Sequence, residues 1–115
     1  MRIQNKAVQG WVSRVLPSIW NVVCGLMSRN RRIYFGATSD PEARAIAHSK
    51  TGKGWSKMVL LFKTSSLQGA VDMESLLIKK ARGSNFRLEP DNIGDGGEGL
   101  VAGMDEYWVY ALVKE

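Results

Sequence analysis

Arg44 and His48 stand four residues apart in Pro41-Glu-Ala-Arg-Ala-Ile-Ala-His48, so on a helix they share a face. Just upstream, Ile33-Tyr34-Phe35 is a short β-branched and aromatic run ending at Gly36, and Tyr34 can point into the space that Arg44 and His48 overlook. A phenol, a guanidinium and an imidazole can thus share one corner. A fourth group lies further on. Stepping about 100° per residue, Leu67, Ala70, Val71, Leu77, Ile78 and Ala81 make one apolar stripe, and Glu74 falls within it. An unpaired charge buried there costs several kcal/mol, roughly, so Glu74 needs a partner such as an arginine, a lysine or a metal ion, a structural ion pair with Arg44 being the plain alternative.

The elements that must hold these residues carry their own signals. Asp40 and Pro41 supply an N-cap and a first helical residue, so a strand feeds a helix across Thr38-Ser39. Ser65-Ser66 caps the longest helix, Leu67 to Arg82, which Gly83 closes behind a basic last turn. Trp55 to Thr64 reads as a strand covered on both faces, with Trp55 more suited to closing the core than to stacking on a base. Upstream, Val8, Trp11, Val12, Val15 and Leu16 predict an amphipathic helix over Asn5 to Leu16, stopped by Pro17 and packed on the sheet. Ile19 to Leu26 then reads as a buried strand in a hairpin with the Tyr34 strand, turning at Ser28-Arg29-Asn30-Arg31. Ser84 to Gly103 is loop-like, with five of the twelve glycines between Gly94 and Gly103, and Glu106-Tyr-Trp-Val-Tyr-Ala-Leu-Val113 is a strand that closes the sheet. The expected fold is a small α+β domain, a mainly antiparallel sheet flanked by helices. Residues 1–115 form one domain, with 1–18 as an N-terminal helical arm and 19–115 as the core.

Sixteen Lys and Arg against eleven acids give a net charge of +5, which favours a polyanionic partner. Lys50 and Lys53 in the basic loop Ser49–Gly54, with Lys57 just beyond, are candidates for phosphate contact, although a merely solvated loop has the same composition. That loop lacks the spacing of a P-loop, and Asp91, Asp95 and Glu98 lack that of an EF-hand. One cysteine, Cys24, excludes an intramolecular disulfide framework and fits a reducing compartment; with neither a signal peptide nor a membrane-spanning apolar run, a cytoplasmic protein without membrane contact is expected.

Tyr34-Phe-Gly36, then Thr38-Ser-Asp-Pro-Glu-Ala-Arg44 and Ala45-Ile-Ala-His48, resembles the second half of the GIY-YIG nuclease signature. The likeness extends through Glu74, where that family keeps a metal-binding glutamate on a helix, to Asn92, and covers roughly residues 20 to 115. It implies a metal-dependent endonuclease acting on DNA more readily than RNA, with Mg2+ or Mn2+ held by Glu74. Tyr34 would position or deprotonate the attacking water, Arg44 stabilise phosphate charge, His48 take a proton and Asn92 support the site. The family carries a first tyrosine on a strand about ten residues earlier, where this chain has Val23, Cys24 and Gly25, and no tyrosine precedes Tyr34. Ala37 stands where several relatives place a lysine. These departures leave open a catalytically impaired GIY-YIG-fold protein that binds nucleic acid or inhibits a partner protein; a small basic RNA-binding protein would explain the charge but not Glu74. Tyr107 and Tyr110, on the last strand, are candidates to replace the absent tyrosine in space. Small size without an appended domain hints at a phage or mobile element, and a homodimer or a protein partner stays open.

Overall fold

The structure is a computed structural model and describes residues 1–84, 88–92 and 100–115. Seven elements follow in the order β1 (Arg2–Val8), α1 (Val12–Arg29), β2 (Arg32–Thr38), α2 (Pro41–Ser49), β3 (Lys57–Thr64), α3 (Leu67–Arg82) and β4 (Tyr107–Lys114). The four strands form one sheet in the order β1-β3-β4-β2, parallel between β1 and β3 and antiparallel elsewhere. This is the expected α+β class with a mostly antiparallel sheet.

The local signals around the site hold. Asp40 caps α2 by accepting from the Ala43 N–H at 3.1 Å, with Pro41 at the helix start. Ser66 caps α3 by accepting from the Gly69 N–H at 3.0 Å. The buried face of α3 is Ala70, Met73, Glu74, Leu77, Ile78 and Ala81, so Glu74 does sit in the stripe; Met73 takes the place expected for Val71, which is half-buried.

The first thirty residues fold differently from their expected pattern. Residues 2–8 are a strand, not part of a helical arm, and Gly10, at φ 142°, turns the chain into α1. α1 runs through Pro17 to Arg29, so Ile19–Leu26 is helix and the hairpin with β2 does not exist. The reason is packing. Ile19, Val23, Leu26 and Met27 recur at helical spacing and all enter the core, which outweighs one lost hydrogen bond at Pro17. The Ser13 carbonyl, which that bond would have used, lies on an exposed residue open to water.

The sheet separates two apolar layers. On one side α1 and α3 cover Ile33, Phe35, Val59, Leu61, Val109, Ala111 and Val113. On the other, Met58, Leu60, Tyr110 and Leu112 pack with Ala45 of α2 and with Trp55, which is 8% exposed and closes this layer ahead of β3. β4 does not close the sheet at an edge. It is interior, pairing with β3 on one side and β2 on the other. The outer edge of β2 is covered by residues 90–92: Pro90 bridges to Ile33, the Asp91 N–H donates to the Ile33 carbonyl at 2.8 Å, and Asp91 pairs with Arg32. Among the described residues no helix is long and apolar enough to cross a membrane.

Candidate active site

Strand alternation sends Tyr34 and Gly36 of β2, and Tyr110 and Leu112 of β4, to the α2 side of the sheet. α2 lies over this patch with its last turn, so His48 meets both tyrosines. Its Nε2 is 2.8 Å from the Tyr110 hydroxyl, and its ring stands edge-on to Tyr34 at 5.6 Å and to Tyr110 at 5.8 Å. Tyr34 also lies 6.3 Å from Trp55, whose ring carries the Arg32 guanidinium at 5.1 Å. Trp55 is thus a wall of the site.

Tyr110 is the residue that reading forward from the signature misses. A second tyrosine does not come from the segment before Tyr34; it arrives from the far end of the sequence, because β4 pairs with β2 in the register Gly36↔Tyr110. Its phenol crosses directly over Gly36, where a Cβ would meet the ring. Small size, and no special backbone angle, is what requires glycine there. Tyr107, the other candidate, serves the loop instead: its hydroxyl donates to the Val101 carbonyl and accepts from the Met104 N–H.

Burial pushes the Tyr110 hydroxyl up to about 12, against a lowering by the hydrogen bond and charge of Arg44 and with smaller raising effects from Tyr34 and Glu74. Burial also lowers His48, helped by the positive charges of Arg44 and Lys53. At neutral pH the pair is therefore a neutral phenol and a neutral imidazole. Glu74 is 4% exposed and is the one buried charged side chain among the described residues. It comes from α3, in the opposite layer, yet its charge acts on Tyr110. Its carboxylate is not orphaned, since Gln4 Oε1 alone among the described buried side-chain polar atoms lacks a partner.

Asn92 stands back from the hydroxyl cluster. Its Oδ1 accepts from the Phe35 N–H at 2.8 Å, its Nδ2 donates to the Phe35 carbonyl at 2.7 Å, and its own carbonyl accepts from Arg82. It grips the outer edge of β2 between Tyr34 and Gly36, which makes it a positioning residue. Of the candidate phosphate contacts, Lys53 lies close enough to act on His48, and exposed Lys50 caps the α2 C-terminus with its backbone. Lys57 is separated from the site. It pairs with Val113, whose side chain belongs to the α1–α3 layer. Asp95, Glu98 and the glycine run 94–99 lie outside the described residues.

Among the described residues no three His, Cys, Asp or Glu side chains gather as a metal cage. Magnesium is commonly held through one or two carboxylates and water, so the oxygen donors of Glu74 are those of a hard cation and not of zinc, which takes three or four closely held ligands. No family model, curated protein sequence or solved structure matches this chain.

Proposed function

We propose that the protein is a divalent-metal-dependent endonuclease of the GIY-YIG type that hydrolyses phosphodiester bonds, DNA being the favoured substrate. The observation that carries this reading is the 2.8 Å contact between His48 and Tyr110 beside Arg44, with the charge of Glu74 in range of the same hydroxyl. The second tyrosine beside His48 supports this reading over that of a catalytically impaired GIY-YIG-fold protein.

In this reading the scissile phosphate lies against Arg44 and Lys53, whose positive charges offset the negative charge that builds up on its oxygens. Tyr110 donates to the unprotonated Nε2 of His48. As water attacks phosphorus it passes a proton to Tyr110 Oη while Tyr110 hands its own proton to His48. One P–O bond forms, the bond to the leaving oxygen breaks, that oxygen takes a proton from solvent, and His48 ends as an imidazolium. Relay suits a phenol whose proton is held to about 12, since Tyr110 need never become a free phenolate. Tyr34 holds the imidazole edge-on and borders the water. Magnesium or manganese, held by Glu74, would polarise the phosphate and acidify bound water.

The test is cleavage of supercoiled plasmid with Mg2+ or Mn2+, with EDTA and Glu74→Gln as controls. Nicked or linear product that vanishes in both controls is expected. Full cleavage by the Glu74→Gln protein overturns the metal role, and no cleavage of plasmid, single strands or RNA with either metal overturns the nuclease reading.

A further inference from the structure

Away from the site, on the outer surface of the α1–α3 layer, lies an open apolar groove of about 910 Å³. Phe62 and Leu16 line it, and its polar lining includes Gln68, Asp72, Ser75 and Lys79. Trp11 stands at its mouth 78% exposed, and Leu76 lines it 37% exposed. A tryptophan that projects this far from a small protein has a large apolar area to bury. The same patch thus holds both a projecting ring and an apolar hollow.

The charges along α3 have a matching property. Asp72, Leu76 and Lys79 follow at i, i+4 and i+7, one outward stripe about 10.5 Å long. Turned about a two-fold axis between Ser75 and Leu76, α3 meets its own copy antiparallel. Asp72 of each chain then lies opposite Lys79 of the other, and the Leu76 side chains meet at the centre. A closed pair needs this kind of self-complementary patch, the same surface used twice.

From this stripe and groove we propose that the chain forms a two-fold dimer with α3 against α3, Trp11 of each copy covering the groove of its partner. Opposite charges at both ends fix the register, and the apolar centre supplies the affinity. The inference does not depend on the nuclease reading. Where that reading holds, the pairing puts two sites on one particle and permits two strands to be cut in one encounter.

Sedimentation velocity of the purified full chain, over a range of concentrations in moderate salt, tests it. The wild-type protein is expected to move from its 12.8 kDa monomer to twice that mass as concentration rises. Asp72→Lys sets cations opposite one another and should weaken the dimer by about tenfold or more, whereas Asp72→Lys combined with Lys79→Asp should restore it. Both positions are exposed, and a urea melt of each variant confirms that it folds. A wild-type chain that stays monomeric at the highest concentration, a dimer indifferent to Asp72→Lys, or a double exchange that fails to restore association overturns the proposal.

Discussion

Replacing Gly36 by alanine separates steric reasoning from ordinary propensity. Gly36 has no positive φ, so alanine is free to adopt its backbone, and in an average strand the exchange stabilises by about 0.5–1 kcal/mol. Here the added Cβ would come within 2.9 Å of Tyr110 Cε1 and closer still to its Cζ and Oη. The ring is buried and cannot step aside without giving up its place against Leu60 and its contact with His48. Overpacking of this kind costs about 1–3 kcal/mol, and loss of the hydrogen bond about another 1 kcal/mol. Net destabilisation of about 1–3 kcal/mol is therefore expected, a fall in the urea midpoint of roughly 1 M at the m-values usual for small domains. Cleavage should drop with it. The decisive arm repeats the exchange in a Tyr110→Ala background, where nothing opposes the new methyl group, so Gly36→Ala should there be neutral or mildly stabilising. A coupling of at least about 1 kcal/mol between the two positions is expected. Equal destabilisation in both backgrounds, or none in the wild type, would refute the argument.

Tyr110→Phe probes the same ring by titration. A hydroxyl whose folded value is raised from 10.0 to about 12 stays neutral in the fold while the unfolded chain ionises, so its contribution is intact below pH 10 and is lost as pH rises toward 12. The loss is roughly 3 kcal/mol at most, and wild-type stability should fall more steeply across that window than that of Tyr110→Phe; parallel curves would contradict the burial argument. His48 works in the opposite range. Because its value is lowered, the neutral imidazole persists below the usual 6.5, so cleavage should hold from neutral pH into mildly acidic solution and then fall, and stability should decline as pH drops below 6.5; an acidic limb at or above 6.5 in the pH–rate profile speaks against it. Asn92→Ala removes both bonds to Phe35 and should cost about 1–3 kcal/mol, with faster hydrogen exchange at the Phe35 amide; unchanged exchange there means that the edge is held by other groups.

How much could be read beforehand depended on whether a signal was local. Asp40-Pro41 and Ser66 with Gly83 are short-range caps, and the two helices they bound came out as expected. Glu74 was visible because a carboxylate at helical phase with six apolar residues needs a reason. The first thirty residues misled for a physical cause. Residues 5–16 carry apolar positions that fit a helix, but Gly10 divides them, and the run after Pro17 is as apolar as a buried strand while its spacing is helical. The glycine at position 10, a residue suited to a sharp change of direction, was the available clue. Tyr110 was only half legible: its presence on a terminal strand could be seen, but register between β2 and β4 is a long-range property that no local pattern encodes.

The interior position of β4 bears on how the molecule comes into being. β2 and β3 are not paired with each other, and β4, which follows both in the chain, is their common neighbour. During synthesis at about 5–20 residues per second, Arg44, His48 and Glu74 are all joined to the chain before Tyr110. The sheet knits, and the hydrolytic centre proposed for it becomes whole, in one closing event that waits for the final strand. Chains that stop short of β4 carry Arg44, His48 and Glu74 without Tyr110, so whatever chemistry the four groups perform together is withheld from unfinished copies.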